Sequence, residues 1–282
     1  MATGSFLCET VGAMCIEPPA TPEMGWFLKK KKKSNPQDSI KVKNEYEKLT
    51  GSDSVVRRGM FNVYQKKNDY YFEIPSTLLE RDMLVVNKLQ RVPAELNEAG
   101  VNRGTNYENQ MIRFELDKSA NKLLIRQSRP LPISPSEDAI SQSVKDNYIS
   151  PLIAGFKVEA YNNDSTSMLI KVNDIYDGTE TSINNVFTNI NLGTSAIKNL
   201  SRILSIKSFD NNVVATSELT TRVTEGTTTI YVTVEVSSSI LLLPEVPMTG
   251  RLDNPRVGYF TNPLTNFSDG QQRVNKKQFI IR

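Results

Sequence analysis

The sequence predicts a mainly β fold with minor helix, built from antiparallel hairpins and a meander. Two observations carry that prediction. Apolar and polar residues alternate in short runs from Arg57 onward, and the breaks between runs are short and rich in Asn, Asp and Gly. A third observation sets the limits of the fold: the first part of the chain has no such pattern at all.

Residues 1–54 read as a disordered, lysine-rich lead. Pro18-Pro19, Pro22, the run Lys29–Lys33 and Asn35-Pro36 interrupt any periodicity. Near its end, Val42–Leu49 predicts a short helix with Tyr46 and Leu49 on one face. Residues 55–128 form a first β-hairpin region. Gly59–Tyr64 alternates, Lys66-Lys67-Asn68-Asp69 turns, and Tyr70–Ile74 returns. Pro75 ends that strand and Ser76 caps a helical turn. Met83–Val92 is a strand, Asn97–Tyr107 a loop, and Met111–Leu116 with Leu123–Gln127 a second hairpin.

Residues 129–154 are a proline-rich connector and a helix. Pro130, Pro132 and Pro135 keep the connector irregular. Ser136 is the predicted cap of a helix near 137–148, with Glu137 and Asp138 favourably placed in its first turn and Pro151 blocking extension. Residues 155–282 form a second antiparallel β region. Gly155–Tyr161 and Met168–Val172 pair across Asn162-Asn163-Asp164, Asp174–Gly193 is loop-like, and Arg202–Phe209, Val213–Val223 and Thr229–Val236 make a meander. In the last strand Ile230, Val232, Val234 and Val236 form a dry face, and Tyr231, Thr233 and Glu235 a wet one. Ile240–Leu243 is apolar without alternation.

Bulk properties narrow the function. The chain has 282 residues, 38% of them hydrophobic and 23% charged, enough for one large domain or two small ones. The net charge is +3, and Lys29–Lys33 supplies much of the excess, so the remainder carries no electrostatic footprint for nucleic acid. No apolar run is long enough to span a bilayer. Cys8 and Cys15 are too few for a disulfide framework. The chain has no histidine, which removes His-based triads, the H-E-x-x-H helix and most catalytic zinc sites. No catalytic residue, metal ligand or cofactor is expected within it. The Asp174, Asp177 and Glu180 loop looks like a calcium loop only superficially, because its spacing departs from the EF-hand pattern.

The stretch Leu241–Phe260, LLLPEVPMTGRLDNPRVGYF, stands apart. It holds Arg251, Asp253 and Arg256, with Pro247 and Pro255 fixing the backbone around them, and closes on Gly258, Tyr259 and Phe260. An Arg–carboxylate pair there would lock an irregular loop against its surroundings, as a domain clamp or as a direct substrate contact.

LLLPEVPM followed by RLDNPRVGYF resembles the segment just upstream of the catalytic domain in large, exported bacterial zinc-dependent metalloproteases. Glu45-Tyr46-Glu47-Lys48-Leu49, Gly59–Tyr64, Tyr70–Pro75 and Leu78–Leu84 are similar to the same upstream region of unknown role, so the resemblance runs from Tyr46 to the end. It implies a non-catalytic N-terminal module that packs on a downstream protease domain and shapes its cleft. Zinc would sit in that domain, which is absent from this chain. The downstream domain is the implied partner, with a peptide substrate as a further one, and an exported location is implied although Phe6–Ile16 makes a poor signal peptide. The run Gln278–Arg282 reads as a strand cut short, as in a truncated product. The competing reading is a self-contained β-rich module that binds peptide or glycan at a cell surface through exposed aromatics such as Tyr70 or Tyr231. An exposed apolar patch at Ile240–Leu243 and Phe279–Ile281 would favour the first reading.

Overall fold

Strands dominate the chain because its β-branched and aromatic residues sit at every second position between tight turns, which suits a pleated surface with one dry face. The structure is a computed structural model, and it describes residues 45–51, 53–128, 132, 134–246, 248–249, 251–254, 256, 258, 260–267 and 275–280. Contacts divide the chain into two units, Met1–Pro36 and Gln37–Arg282, and every described residue belongs to the second. The reading of residues 1–54 as a disordered lead therefore falls mostly outside the described residues. Of that lead, 45–50 is a helix, α1.

The first strands are β1 (Val55–Arg57), β2 (Asn62–Lys66), β3 (Asp69–Pro75) and β4 (Met83–Arg91), with a 3-10 turn at Ser76–Leu78. A short helix α2 (Ala94–Glu98) precedes β5 (Asn106–Asp117) and β6 (Lys122–Ser128). Helix α3 (Ile140–Asn147) leads to β7 (Leu152–Tyr161) and β8 (Ser167–Lys171). Two one-turn helices, α4 (Asn173–Tyr176) and α5 (Val186–Asn189), and a 3-10 turn at Lys198–Leu200 precede the meander β9 (Arg202–Ser208), β10 (Asn212–Glu225) and β11 (Thr228–Leu242). A separate ribbon pairs β12 (Thr261–Asn266) with β13 (Asn275–Ile280).

Strands β1 to β11 form one antiparallel sheet in the order β1-β2-β3-β8-β7-β6-β5-β4-β11-β10-β9. The sheet curls into a nearly closed barrel. Its two ends touch where the Met60 N–H donates to the Phe209 carbonyl at 2.7 Å and the Ser208 hydroxyl donates to the Phe61 carbonyl at 2.6 Å. Inside, Phe61 meets Phe72 and Phe114 with ring centroids 5.5 and 5.9 Å apart, and Tyr176 packs on Phe72. Each such fully buried side chain contributes about 1.5–3 kcal/mol of transfer free energy.

The segment between β8 and β9 fills the barrel. Val172, Ile175, Tyr176 and Ile183 join the main core, while Val186, Phe187 and Ile190 pack on Leu89, Leu219, Val234 and Val236. A buried amide pins this filling to the wall. Asn87 donates to the Ile183 carbonyl at 2.8 Å and the Glu108 carbonyl at 3.1 Å, and accepts from the Ser238 hydroxyl at 2.5 Å.

On the outer face of β2, β3, β7 and β8, α1 lays Tyr46 and Leu49 over Tyr64, Tyr71, Ala160 and Leu169. Glu73 lies beneath it at 6% exposure. Burial disfavours its charge. Four donors, Ser167 (2.5 Å), Asn62 (2.9 Å), Tyr46 (2.9 Å) and Tyr64 (3.0 Å), more than offset this and hold the carboxyl below its ordinary range.

Several local expectations need correction. Tyr70, Tyr71 and Phe72 are all buried, so Tyr70 is no exposed stacking platform. Helix α3 starts at Ile140 without a side-chain cap, and the Ser136 hydroxyl donates to the neighbouring Glu137 carboxylate instead. Strand β11 runs unbroken through Ser237–Ser239, because Ser238 faces inward and hydrogen-bonds Asn87. Part of the Asn97–Tyr107 loop is strand and helix end, with β5 beginning at Asn106. Among the described residues no helix is long and apolar enough to cross a membrane.

Candidate functional site

Strand β11 delivers the chain into the Leu241–Phe260 stretch from a fixed point. Its last residues pair with β4, Leu241 opposite Leu84 and Leu242 opposite Met83. Ile240 is buried and Leu241, Leu242 and Leu243 are half-buried, so the apolar run is core and wall and not an open patch. Phe279 and Ile281, the other half of the expected patch, lie outside the residues whose side chains are described. Just beyond β11, the Leu243 N–H donates to the Asp82 carbonyl at 3.0 Å, and the Arg81 guanidinium donates to the Leu243 carbonyl at 3.1 Å. Arg81 also faces Glu245 at 3.8 Å, an exposed pair worth little by itself.

The Glu80-Arg81-Asp82 corner is thus the anchor. Asp82 holds Arg113 in a two-pronged pair, 2.5 Å to Nε and 2.9 Å to Nη2. The Arg113 guanidinium keeps the Asp82 carboxyl below its ordinary range. The bidentate clamp beside the root of this stretch is therefore Asp82–Arg113, and not the cluster singled out by sequence.

From Pro244 onward the surface changes character. Val246 is 82% exposed, Met248 71%, Leu252 59% and Phe260 88%. Arg251 and Arg256 are exposed, and no ion pair joins either of them to Asp253 among the described residues. The Arg256 N–H donates to the Asn254 side chain at 3.1 Å, a local turn bond. Asp253 is half-buried, and its Oδ1 is shielded without a donor among the described residues. Gly258 is exposed at φ 66°, a left-handed conformation that glycine adopts without strain. Tyr259 lies outside the described residues.

The structure brings Arg251, Asp253, Arg256, Gly258 and Phe260 onto one exposed segment. It adds Val246, Met248 and Leu252, which the charge pattern drew attention away from. The signal was present as large apolar residues inside a proline-punctuated, non-alternating stretch, where no periodicity assigns them a buried face.

The acidic loop after β8 uses its carboxylates internally. Asp174 and Asp177 face Lys198 at 2.6 and 3.6 Å, and Glu180 accepts the Ser182 N–H at 3.0 Å. Among the described residues no group of three or more Cys, Asp or Glu side chains is placed to hold a metal ion.

The profile of the family described as Domain of unknown function (DUF5117) matches residues 104–282, more than half of the chain. The profile described as Domain of unknown function (DUF5118) matches residues 43–92. Searches of curated proteins and of solved structures find no match. The two matched segments share one sheet. Strand β4, from the first, lies between β5 and β11 of the second, and β3 pairs with β8.

Proposed function

We propose, for a chain that belongs to the DUF5117 family, that it is the non-catalytic module of an exported bacterial zinc-dependent metalloprotease and docks on the protease domain through residues 244–260. The observation that carries this reading is the exposure of Val246, Met248, Leu252 and Phe260 on a segment whose root is rigidly fixed by Arg81 and Asp82. A chain that has filled a barrel with Phe, Ile and Leu has no internal reason to leave four large apolar side chains on one short exposed segment. Exposed apolar residues concentrated in this way mark interaction surfaces. Arg251 and Arg256 are exposed on the same segment and supply charged groups beside those apolar side chains.

The resemblance of this same stretch to the region preceding an H-E-x-x-H domain supports the choice of partner. In this reading zinc binding and peptide hydrolysis belong to that partner, in keeping with the absence of histidine from the chain. The role of the barrel is to hold the docking segment at a set position against the protease and to form one wall of its cleft.

The test mixes this chain with the H-E-x-x-H protease domain encoded in the same or the adjacent reading frame. Co-elution as a stoichiometric complex is expected, and the triple substitution Val246→Ser, Met248→Ser, Leu252→Ser abolishes it while thermal unfolding of the chain is unchanged. Failure of the native chain to co-elute, or zinc-dependent casein hydrolysis by this chain alone, overturns the reading.

A further inference from the structure

The β10–β11 hairpin outruns its neighbours in the sheet. Strand β10 pairs with β9 only as far as Glu218, and β11 pairs with β4 only from Glu235 onward. Strand β4 stops at Arg91, because Pro93 cannot continue a ladder and leads the chain into α2. Residues 219–234 therefore form a two-stranded arm, whose strands stay in register with each other to Glu225 and Thr228.

The pairing fixes which backbone groups the arm leaves open. Along an antiparallel strand, successive residues turn both N–H and C=O to opposite neighbours. The Thr220 N–H donates to the Ser201 hydroxyl at 3.1 Å and its carbonyl accepts the Ile197 N–H at 2.8 Å, so Thr220 faces the β9 side. Thr233, its cross-strand partner, then shares no backbone bond with it, and the two hydroxyls meet at 2.9 Å instead. Thr233 consequently turns its N–H and C=O away from β10, and by the same alternation so do Tyr231 and Thr229. The far end of β11 keeps this phase, since the Leu243 N–H donates to the Asp82 carbonyl on the β4 side. Among the described residues no backbone group meets Thr229, Tyr231 or Thr233 on that edge.

We infer that this edge is an interface between two copies of the chain, which pair β11 with β11 antiparallel about a twofold axis at Tyr231. The stretch Thr229-Ile230-Tyr231-Val232-Thr233 reads the same by residue class in both directions. A twofold at Tyr231 sets Tyr231 opposite Tyr231, Thr229 opposite Thr233 and Ile230 opposite Val232. Aromatic, threonine and β-branched pairs of this kind stabilise a ladder, and a twofold interface requires a self-complementary patch. The register is also the one that the open groups need, because Tyr231 with its copy and Thr229 with Thr233 become the hydrogen-bonded pairs. Tyr231 is 60% exposed and Ile230 44%, and both gain cover.

Charge selects a second copy in the same way. Residues 228–234 carry no charge, and Glu235 comes opposite Thr227, so the twofold opposes no like charges. Edges that stay single are blunted by lysine, proline or a bulge. This stretch has neither residue, and its register with β10 runs without a shift. The β10 edge of the arm differs, since Thr220 is spent on Ser201 and Ile197 and Arg222 brings a charge to what remains. The edge lies apart from residues 244–260, so the inference goes beyond the docking reading and stands or falls separately.

The test is sedimentation velocity of the full chain over a concentration series. A reversible equilibrium that stops at the dimer is expected. Tyr231→Lys sets two ammonium groups opposite each other and weakens the dimer by about tenfold or more, Tyr231→Glu does the same, and an equimolar mixture of the two variants restores it. Thr224→Lys, on the other edge of the arm, leaves the dimer unchanged, as does the triple substitution Val246→Ser, Met248→Ser, Leu252→Ser. A native chain that stays monomeric overturns the inference, whether or not Tyr231→Lys then impairs co-elution with the protease domain. So do growth beyond the dimer, a dimer that survives Tyr231→Lys, a mixture that restores nothing, or loss of the dimer in the triple variant.

Discussion

The two ends of the barrel seam are built from the same pair of sheet ends and come out opposite. At one end the chain before β2 meets the chain after β9 backbone to backbone, through Met60 to Phe209 and Ser208 to Phe61. At the other end Lys67 and Asn68 face Asn199 and Arg202 across a cleft. The closed end depends on having no side chain. A Cβ placed on Gly59 would stand 2.4 Å from the Ser208 hydroxyl and 2.7 Å from the Phe209 backbone nitrogen and oxygen. The open end is the reverse, because long polar and charged side chains must keep water between them. Closure of this barrel is therefore a local decision. It is made by glycine and serine at one end and refused by lysine and asparagine at the other.

The largest disturbance follows from closing that freedom at Gly59. Gly59→Val forces β9 away from β2 and strips the hydrogen bonds that seal the core over Phe61, so a loss of about 3 kcal/mol is expected in urea unfolding. Asn173→Ala comes next. It leaves the buried Tyr70 N–H without its acceptor and frees the turn at Lys67, at a cost of about 2 kcal/mol. Ser208→Ala removes one donor to a buried carbonyl and costs about 1 kcal/mol.

Acid separates the seam from the outer face. None of Gly59, Met60, Phe61, Ser208 and Phe209 titrates, so the closed end does not respond to pH. Glu73 does. Its folded value lies below the ordinary 4.5, so its contribution is complete above that value and is lost as pH falls through the lowered one. Glu108 has the opposite sign, because burial raises its carboxyl and the Asn185 N–H only partly offsets this. Acidification therefore loosens α1 from β3 before it opens the barrel. Limited cleavage by pepsin near residues 45–54 should rise below pH 4.5 relative to pepsin cleavage elsewhere in the barrel. Simultaneous release of both regions would show that the clamp and the seam are one unit.

The hairpins were legible because their signals are local. Lys66–Asp69 is flanked by alternating runs, and β2 and β3 pair across it as the pattern implies. The helical face of Tyr46 and Leu49 was legible for the same reason. The seam was not, since Ser208 and Phe61 are 147 positions apart and nothing in either neighbourhood names the other. The inward Ser238 also hid the length of β11, because its burial is satisfied by Asn87, a residue 151 positions away. In the 241–260 stretch the charges at Arg251, Asp253 and Arg256 drew the eye, but exposure of Val246 and Met248 is a property of where β11 ends, set by Arg81 and Asp82. The family boundaries have the same blind spot: residues 43–92 and 104–282 match separately, yet β4 lies between β5 and β11, so neither stretch owns a complete sheet.

The smallest expected effect is the sharpest test of the seam comparison. Lys67→Gly places at the open end the residue type that the closed end requires. Lysine at φ 54° pays a steric cost that glycine avoids, while glycine loses more backbone freedom on folding. These opposing contributions leave stability within about 0.5 kcal/mol of the native chain in urea unfolding. The cleft should nevertheless stay open, because Asn173 still braces the turn and Asn199 and Arg202 still face it. If Lys67→Gly instead raised stability by more than about 1 kcal/mol, the open end would be held apart by lysine alone, and the two ends would differ by one side chain rather than by design of the whole wall.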